Sequence, residues 1–413
     1  MGEGIVGEGN MGVATLACTG VGRGDCVMPS RARSRRASAR AFAVGAAVIA
    51  AGTLAAIAAC SDAGAPAGPG TPGSSIHEYP PVPFGSPPGA SSGARSAAAA
   101  LGRGVNLGNM LEAPTEGAWG VAVTPDIVDQ VAAAGFQSVR LPVRWSNHAE
   151  ANAPFTIDPA FLARVDTVVA ALLGRGLTVV LNMHHYRQLD GDALDYGEVA
   201  VPAGVVDVRF VRLWEQIATH FRAHPSGLLF ELYNEPHGRL DSTAWNVLAA
   251  RALGAVRRTN PTRVVVIGPS WWNWAGVLSS LKLPNDPHLV ATIHNYAPFT
   301  FTHQGAEWVS PRLPTGVTCC DPAQVAEMTG PLKVARPWAD AVGYPIFVGE
   351  FGAYSTAPTA SRVAFNRHMR DSMEVLGMPW HYWEFAAGFG VYDPVARTFR
   401  AELLASLLGP PTP

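Results

Sequence analysis

From about residue 98 onward, the chain alternates between short apolar runs rich in β-branched residues and longer stretches that are apolar on one side only. Eight runs read as buried strands: "RGVNLGN" near 105, then 136–143, 177–185, 228–235, 263–270, 288–296, 345–352 and 380–385. Helical patterns lie between them. In "PAFLARVDTVVAALLGRG", Phe161, Leu162, Val165, Val168, Val169, Leu172 and Leu173 recur at the spacing of one helix face. "STAWNVLAARALGAVRRTN" is opened by Ser242 or Asp241 as an N-cap. Eight strand-then-helix units over roughly 310 residues fit an α/β fold, a (β/α)8 TIM barrel, with one catalytic domain over 98–413. An open, doubly wound parallel sheet is the alternative, because periodicity does not reveal closure.

Upstream the texture changes. Residues 60–97 are mostly Pro, Gly, Ser and Ala without periodicity and read as a tether. Residues 28–59 begin with the basic "MPSRARSRRASAR" and continue into a long apolar run, the layout of an export signal. Ile57-Ala58-Ala59 before Cys60 resembles a bacterial lipobox, so Cys60 is the expected lipidation site. An uncleaved anchor or ordinary secretion are the alternatives. Each places the domain outside the cytoplasm, meeting the membrane only through an anchor. Met28 stands where such a signal should start, and residues 1–27 read as a misassigned start.

Charge and cysteines then exclude several classes. The formal charge is −2; the first 60 residues hold six Arg against three acids, which leaves the remainder near −5. No basic surface is left for nucleic acid. The five Cys have no zinc-ligand spacing and make no disulfide framework. Adjacent Cys319 and Cys320 read as ordinary loop thiols, with a vicinal disulfide as the alternative. Some of the eleven Trp belong to the core, but aromatic faces are also how proteins hold the apolar faces of sugars.

Polar residues gather where buried strands should avoid them. Asn106 and Asn109 follow the first run, and Arg140 lies inside the second. His184 and His185 end the third, Asn234 and Glu235 the fourth, His294 and Tyr296 the sixth. Glu350 ends the seventh, Trp383 and Glu384 the eighth. In a closed parallel barrel these ends share one rim, the face that carries the chemistry of such barrels. Glu235 and Glu350 would then face each other. Two carboxylates flanking a bond are the minimum for cleaving a glycoside. Asn234 could hold a sugar 2-hydroxyl, while Arg140 and Tyr296 could keep Glu350 ionised. No metal is expected: His184 and His185, if adjacent on a strand, point to opposite faces, and no H-x-H or H-E-x-x-H pattern occurs.

The segments "GVNLGNMLEAPTEGAWG", "VRLPVRW", "NMHHY", "LYNEPHG", "IHNYAPFTFTHQGAEW", "GEFGAY" and "WEFAAGFGVYD" occur in one order. In that order they resemble glycoside hydrolase family 5, the retaining endo-β-1,4-glucanase and mannanase group, over about residues 101–405. The resemblance implies that Glu235 is the general acid/base and Glu350 the nucleophile, supported by Arg140, His184, Asn234, His294 and Tyr296. It makes Trp383 the sugar platform, and Asn109, Glu112, His185 and Trp308 outer sugar contacts. One segment departs: similar enzymes carry an aromatic, Gly-containing stretch where this chain reads "RLPTGVTCCDPAQ", which puts distal sugar contacts in question.

The expectation is therefore retaining, endo-acting hydrolysis of β-1,4-glucan by a monomer that needs no cofactor. The two carboxyl groups should lie about 5–5.5 Å apart. A β-1,4-mannanase or glucomannanase is the alternative, then a catalytically inactive carbohydrate-binding barrel. A metal-dependent amidase would need ligands the sequence lacks.

Overall fold

The computed structural model describes residues 73–86 and 88–410. Its strands pair in chain order, all parallel, and the last returns to the first. They are β1 (Arg103–Asn106), β2 (Ser138–Leu141), β3 (Thr178–Asn182), β4 (Leu228–Glu231), β5 (Val265–Ile267), β6 (Leu289–His294), β7 (Ile346–Phe351) and β8 (Trp380–Tyr382). The cylinder is closed. This decides the barrel against the open sheet.

Each strand coincides with an anticipated run, but several stop early, at Asn182 and Glu231 for example. The physical reason is local. Past Glu231 the chain must present side chains to the rim: Glu235 takes a left-handed φ of 49° and Pro236 has no N–H for a ladder. His184 and His185 also lie beyond their strand. Their rings therefore do not diverge to opposite faces, as strand alternation would require; the centroids are 4.6 Å apart.

The long helices follow local chemistry. Helix α1 (Ser92–Leu101) precedes the barrel, and α2 (Pro125–Ala134) follows β1. In α3 (Pro159–Leu173) Pro159 opens the helix and Asp158 caps it, with Phe161, Val165, Val168, Val169 and Leu172 buried. After α4 (Val206–His220) comes α5 (Ser242–Arg257), where Asp241 is the cap, accepting from the N–H groups of Thr243 and Ala244. The set is completed by α6 (Pro322–Val342), α7 (Thr359–Val375) and α8 (Ala401–Leu408). Between β5 and β6 the chain makes only short helical pieces, Ser270–Asn273 and Ala275–Ser280. A small hairpin, Tyr392–Asp393 with Thr398–Phe399, was not signalled by the apolar pattern.

Two readings are corrected. The tether does not extend to residue 97, because the chain from Gly73 packs on the barrel. Tyr79 is buried, its hydroxyl donates to Glu215 at 2.6 Å, and Arg258 lies over its ring. Ala94, Ala98 and Leu101 of α1 then pack with Val180, Leu229, Val266, Val290 and Phe347 inside the barrel. An Ala/Ser/Gly segment has the composition of a linker, yet small side chains are also what lets a helix approach a barrel floor closely. The second correction concerns Cys319 and Cys320, which are joined by a disulfide. Their loop is pinned by Gln304, bonded to both the N–H and the carbonyl of Val317, and by Ser361 on the Cys319 N–H. Cys60 and the 28–59 export signal lie outside the described residues.

Candidate active site

Arg140, inward-facing on β2, organises the rim. A guanidinium has five N–H donors, and each finds an acceptor here. Nε and Nη2 grip Glu231 at 2.6 and 2.8 Å. Nη1 reaches Asn106 Oδ1 at 2.9 Å and Glu350 Oε1 at 2.6 Å, and Nη2 reaches Asn234 Oδ1 at 2.7 Å. With its oxygen committed to Arg140, Asn234 has its amide NH2 to offer a ligand.

Glu350 also accepts from the Tyr296 hydroxyl, on Oε2, at 2.9 Å. Burial raises its carboxyl; the contact with His294, the charge of Arg140 and the Tyr296 bond oppose that shift. Both oxygens thus have donors directed at them, the condition for a carboxylate. Glu235 differs. Its Oε1 meets His294 Nδ1 at 2.7 Å, and burial pushes its carboxyl up to about 7. His294 itself is lowered to about 4 by burial, so it is a neutral imidazole near pH 7. Asn273 lies 3.3 Å from its Nε2, on the side away from Glu235. One ring thereby links the two carboxyls, with Glu350 Oε2 3.6 Å from the same Nδ1.

One donor atom each from Glu235, His294 and Glu350 lies within 4.8 Å of the others. An oxygen of Glu235 thus comes within 4.8 Å of one of Glu350, an approach that suits a retaining pair, whose carboxyl groups lie about 5–5.5 Å apart. Three such atoms could in principle meet a cation, but Arg140 already places a positive charge on Glu350.

Trp383, just past β8, is partly exposed at the same rim. His184 stacks on it, 5.4 Å between centroids and 12° from parallel, and Gly108 lies under its ring. A Cβ at Gly108 would come within 2.8 Å of the indole, so only glycine leaves the platform its place. His185 packs edge-on against Trp119 and Trp308 against Tyr354. Phe389 lies between Trp308 and Tyr296. Asn109 is partly exposed with φ 65°. Glu112 corrects an expectation. It is fully buried, with its carboxylate taking the N–H groups of Asn109 and Met110, so it shapes the Asn109 turn instead of offering a sugar contact. Burial pushes its carboxyl up to about 8.

Sequence reasoning missed Glu231, Asn273 and the supporting role of Glu384, whose oxygens accept from Ala387 and Phe389 and fix the loop after Trp383. Glu231 had a signal: it is an acid between Phe230 and Leu232 in an apolar strand, which demands a buried cation. Asn273 had none, because its place depends on an irregular turn.

A barrel whose C-terminal rim holds one carboxyl under two donors and a second raised to about 7, with an oxygen of each within 4.8 Å of the other, fits the retaining glycoside hydrolase class. The chain belongs to glycosyl hydrolase family 5: the model for cellulase (glycosyl hydrolase family 5) matches residues 99–388. It is 36% identical over 321 residues to Endoglucanase H of Acetivibrio thermocellus, covering 76% of this chain and 33% of that protein. The chain thus spans about a third of that curated relative. A hyperthermophilic endo-β-1,4-glucanase solved with substrate is 40% identical, covering 77% of this chain and 99% of the other, with a TM-score of 0.73. Thermotoga maritima Cel5A with mannotriose is 38% identical, covering 76% and 99%, with a TM-score of 0.71. The same protein with cellobiose gives 39%, 76%, 99% and 0.71.

Proposed function

We propose that the chain is an endo-acting, retaining hydrolase of β-1,4-glucan. The observation that carries this is the approach of Glu235 and Glu350 to within 4.8 Å around His294. Glu350, ionised, attacks the anomeric carbon while protonated Glu235 gives its proton to the departing oxygen. The glycosyl–oxygen bond breaks and a glycosyl ester on Glu350 forms. Glu235, now a carboxylate, takes a proton from water, which attacks the same carbon and releases Glu350. Trp383 provides the apolar face for the reacting sugar, and the Asn234 amide is placed for its 2-hydroxyl.

Mannan or glucomannan is the second reading, supported by the mannotriose complex of a 38% identical relative. Glucose and mannose differ in one hydroxyl at C2. Incubating residues 73–413 with carboxymethylcellulose, barley β-glucan, glucomannan and galactomannan, then sizing the products, decides both substrate and mode. Early long products on glucan are expected; release of only mono- or disaccharide from chain ends would overturn the endo assignment. Proton NMR should show β-configured reducing ends first. A Glu350→Gly variant supplied with azide should give the α-glycosyl azide from an aryl β-cellobioside, and no such product would remove Glu350 as nucleophile.

We further propose that the enzyme works outside the cytoplasm as a monomer, anchored through Cys60, a reading supported by the signal-like 28–59 segment. Cys60→Ala should move activity from the membrane fraction to the soluble one; unchanged partition would reject the anchor.

A further inference from the structure

We infer that His237, two residues beyond the acid/base, is a positioning residue: held as an imidazolium, it clamps the backbone of Glu235 and sets a positive charge beside that carboxyl. This rests on the proposed role of Glu235.

The geometry requires both ring protons. His237 Nδ1 lies 2.6 Å from the backbone oxygen of Glu235, and Nε2 lies 3.3 Å from Asp192 Oδ2. A carbonyl oxygen and a carboxylate only accept, so each nitrogen must carry hydrogen. Asp190 Oδ1 is a further 3.8 Å contact to Nδ1. Trp272 stacks on the ring at 4.7 Å and 17°, which fixes its plane.

The clamp sits where the backbone needs one. Glu235 has φ 49°, a left-handed conformation that is unfavourable for a residue with a Cβ. The turn after it is locked on both sides. Arg239 N donates to Asp190 O at 2.6 Å, and Trp272 N donates to Pro236 O at 3.3 Å. The left-handed residues Trp271, Trp272 and Asn273 therefore serve Glu235 twice. Trp272 holds the ring on its backbone, and Asn273 holds the imidazole on its carboxyl.

The charges facing His237 are consistent with the cation. From the segment after β3 come Asp190 and Asp192, with Arg187 on Asp192 at 3.2 Å and the neutral ring of His185 nearby. Tyr233 donates to Asp190 Oδ2 at 2.5 Å, and the turn after β5 brings no charge. Burial opposes the imidazolium, but Asp190, the Glu235 carbonyl and Asp192 outweigh it and raise His237 above its ordinary value. The imidazolium in turn favours the carboxylate form of Glu235, against the effect of burial.

The experiment pairs kinetics with spectroscopy on residues 73–413. Nitrogen-15 shifts of the His237 ring at pH 7 should show both nitrogens protonated; one bare nitrogen overturns the inference without touching the hydrolase reading. In His237→Gln, kcat on soluble β-glucan should fall about tenfold with KM within about twofold. The basic limb of its pH profile should move up by about 0.5–1 pH unit. Asp192→Asn should move the limb the same way by less, and serves if His237→Gln does not fold. A limb that stays in place in either variant reduces His237 to packing and overturns the inference. Separately, Glu235→Ala with azide should give the β-glycosyl azide from an aryl β-cellobioside. Failure there rejects Glu235 as acid/base, an outcome distinguishable from a neutral His237.

Discussion

Glu231 holds Arg140 by two bonds, at 2.6 and 2.8 Å, with both side chains completely buried. Neither group touches water, so the pair is an arrangement of charge. Glu231 balances the guanidinium and fixes its plane, which leaves Nη1 aimed at Glu350. The acid that grips this cation by two bonds thus supports the nucleophile from behind.

Removing that acid strands a buried cation. Glu231→Ala should cost about 3–5 kcal/mol in urea unfolding. It should also lower kcat at least about 100-fold, since Arg140 loses its aim at the nucleophile. A variant with wild-type kcat would show that Glu350 does not depend on this support.

Activity should fall as pH rises through about 7. Glu235 must be protonated to act as acid, and burial holds its carboxyl near that value. The basic limb of kcat/KM on β-glucan checks this. A limb near 4.5 would mean that the carboxyl is solvated as an ordinary glutamate.

Stability should run in the same direction. Burial raises Glu112 to about 8 and Glu384 to about 7. A carboxyl with a raised folded pKa binds its proton more tightly in the native state. Its stabilisation is complete below the unfolded value near 4 and is lost as pH climbs through 7 to 8. The melting temperature should therefore be higher at pH 5 than at pH 8.5, by roughly 5 °C or more. Equal values at both pH would mean that these carboxyls ionise freely.

Trp383→Ala should reduce kcat/KM by about 100-fold or more, through both kcat and KM, because the surface under the reacting sugar disappears. Gly108→Ala should act in the same direction by less, since its methyl would meet the indole. Kinetics on a soluble β-glucan separate the two.

Ala98→Leu should lower stability by about 1–3 kcal/mol through overpacking, with kcat unchanged. Ala98 is 3% exposed and packs with residues inside the barrel. A change in kcat would show that the floor communicates with the rim.

The period of the apolar runs made the eight strands legible, and the polar residues ending those runs marked the rim. Glu235, Glu350, Arg140, His294 and Tyr296 could be read because each breaks an apolar pattern. What escaped depends on contacts between distant segments. Glu231 was passed over inside "LLFELY", although it is the charged residue in that run. Asn273 and His237 gain their places only through a left-handed turn that no periodicity encodes. Residues 73–97 were misjudged because a helix of alanine and serine packed on a barrel floor has the composition of a linker.

The floor helix has a practical consequence for anyone dividing this gene. A fragment cut to the span shared with the family, 99–388, would start in the last turn of α1 and stop before α8. It would keep both reacting carboxyls and Arg140 yet lose Phe389 beside Trp308 and Tyr296, the buried Ala94, Ala98, Leu403 and Leu407, and the Leu408 carbonyl that accepts from Arg103. The inherited boundary and the boundary of an independently stable body do not coincide here, and excision should begin no later than Gly73.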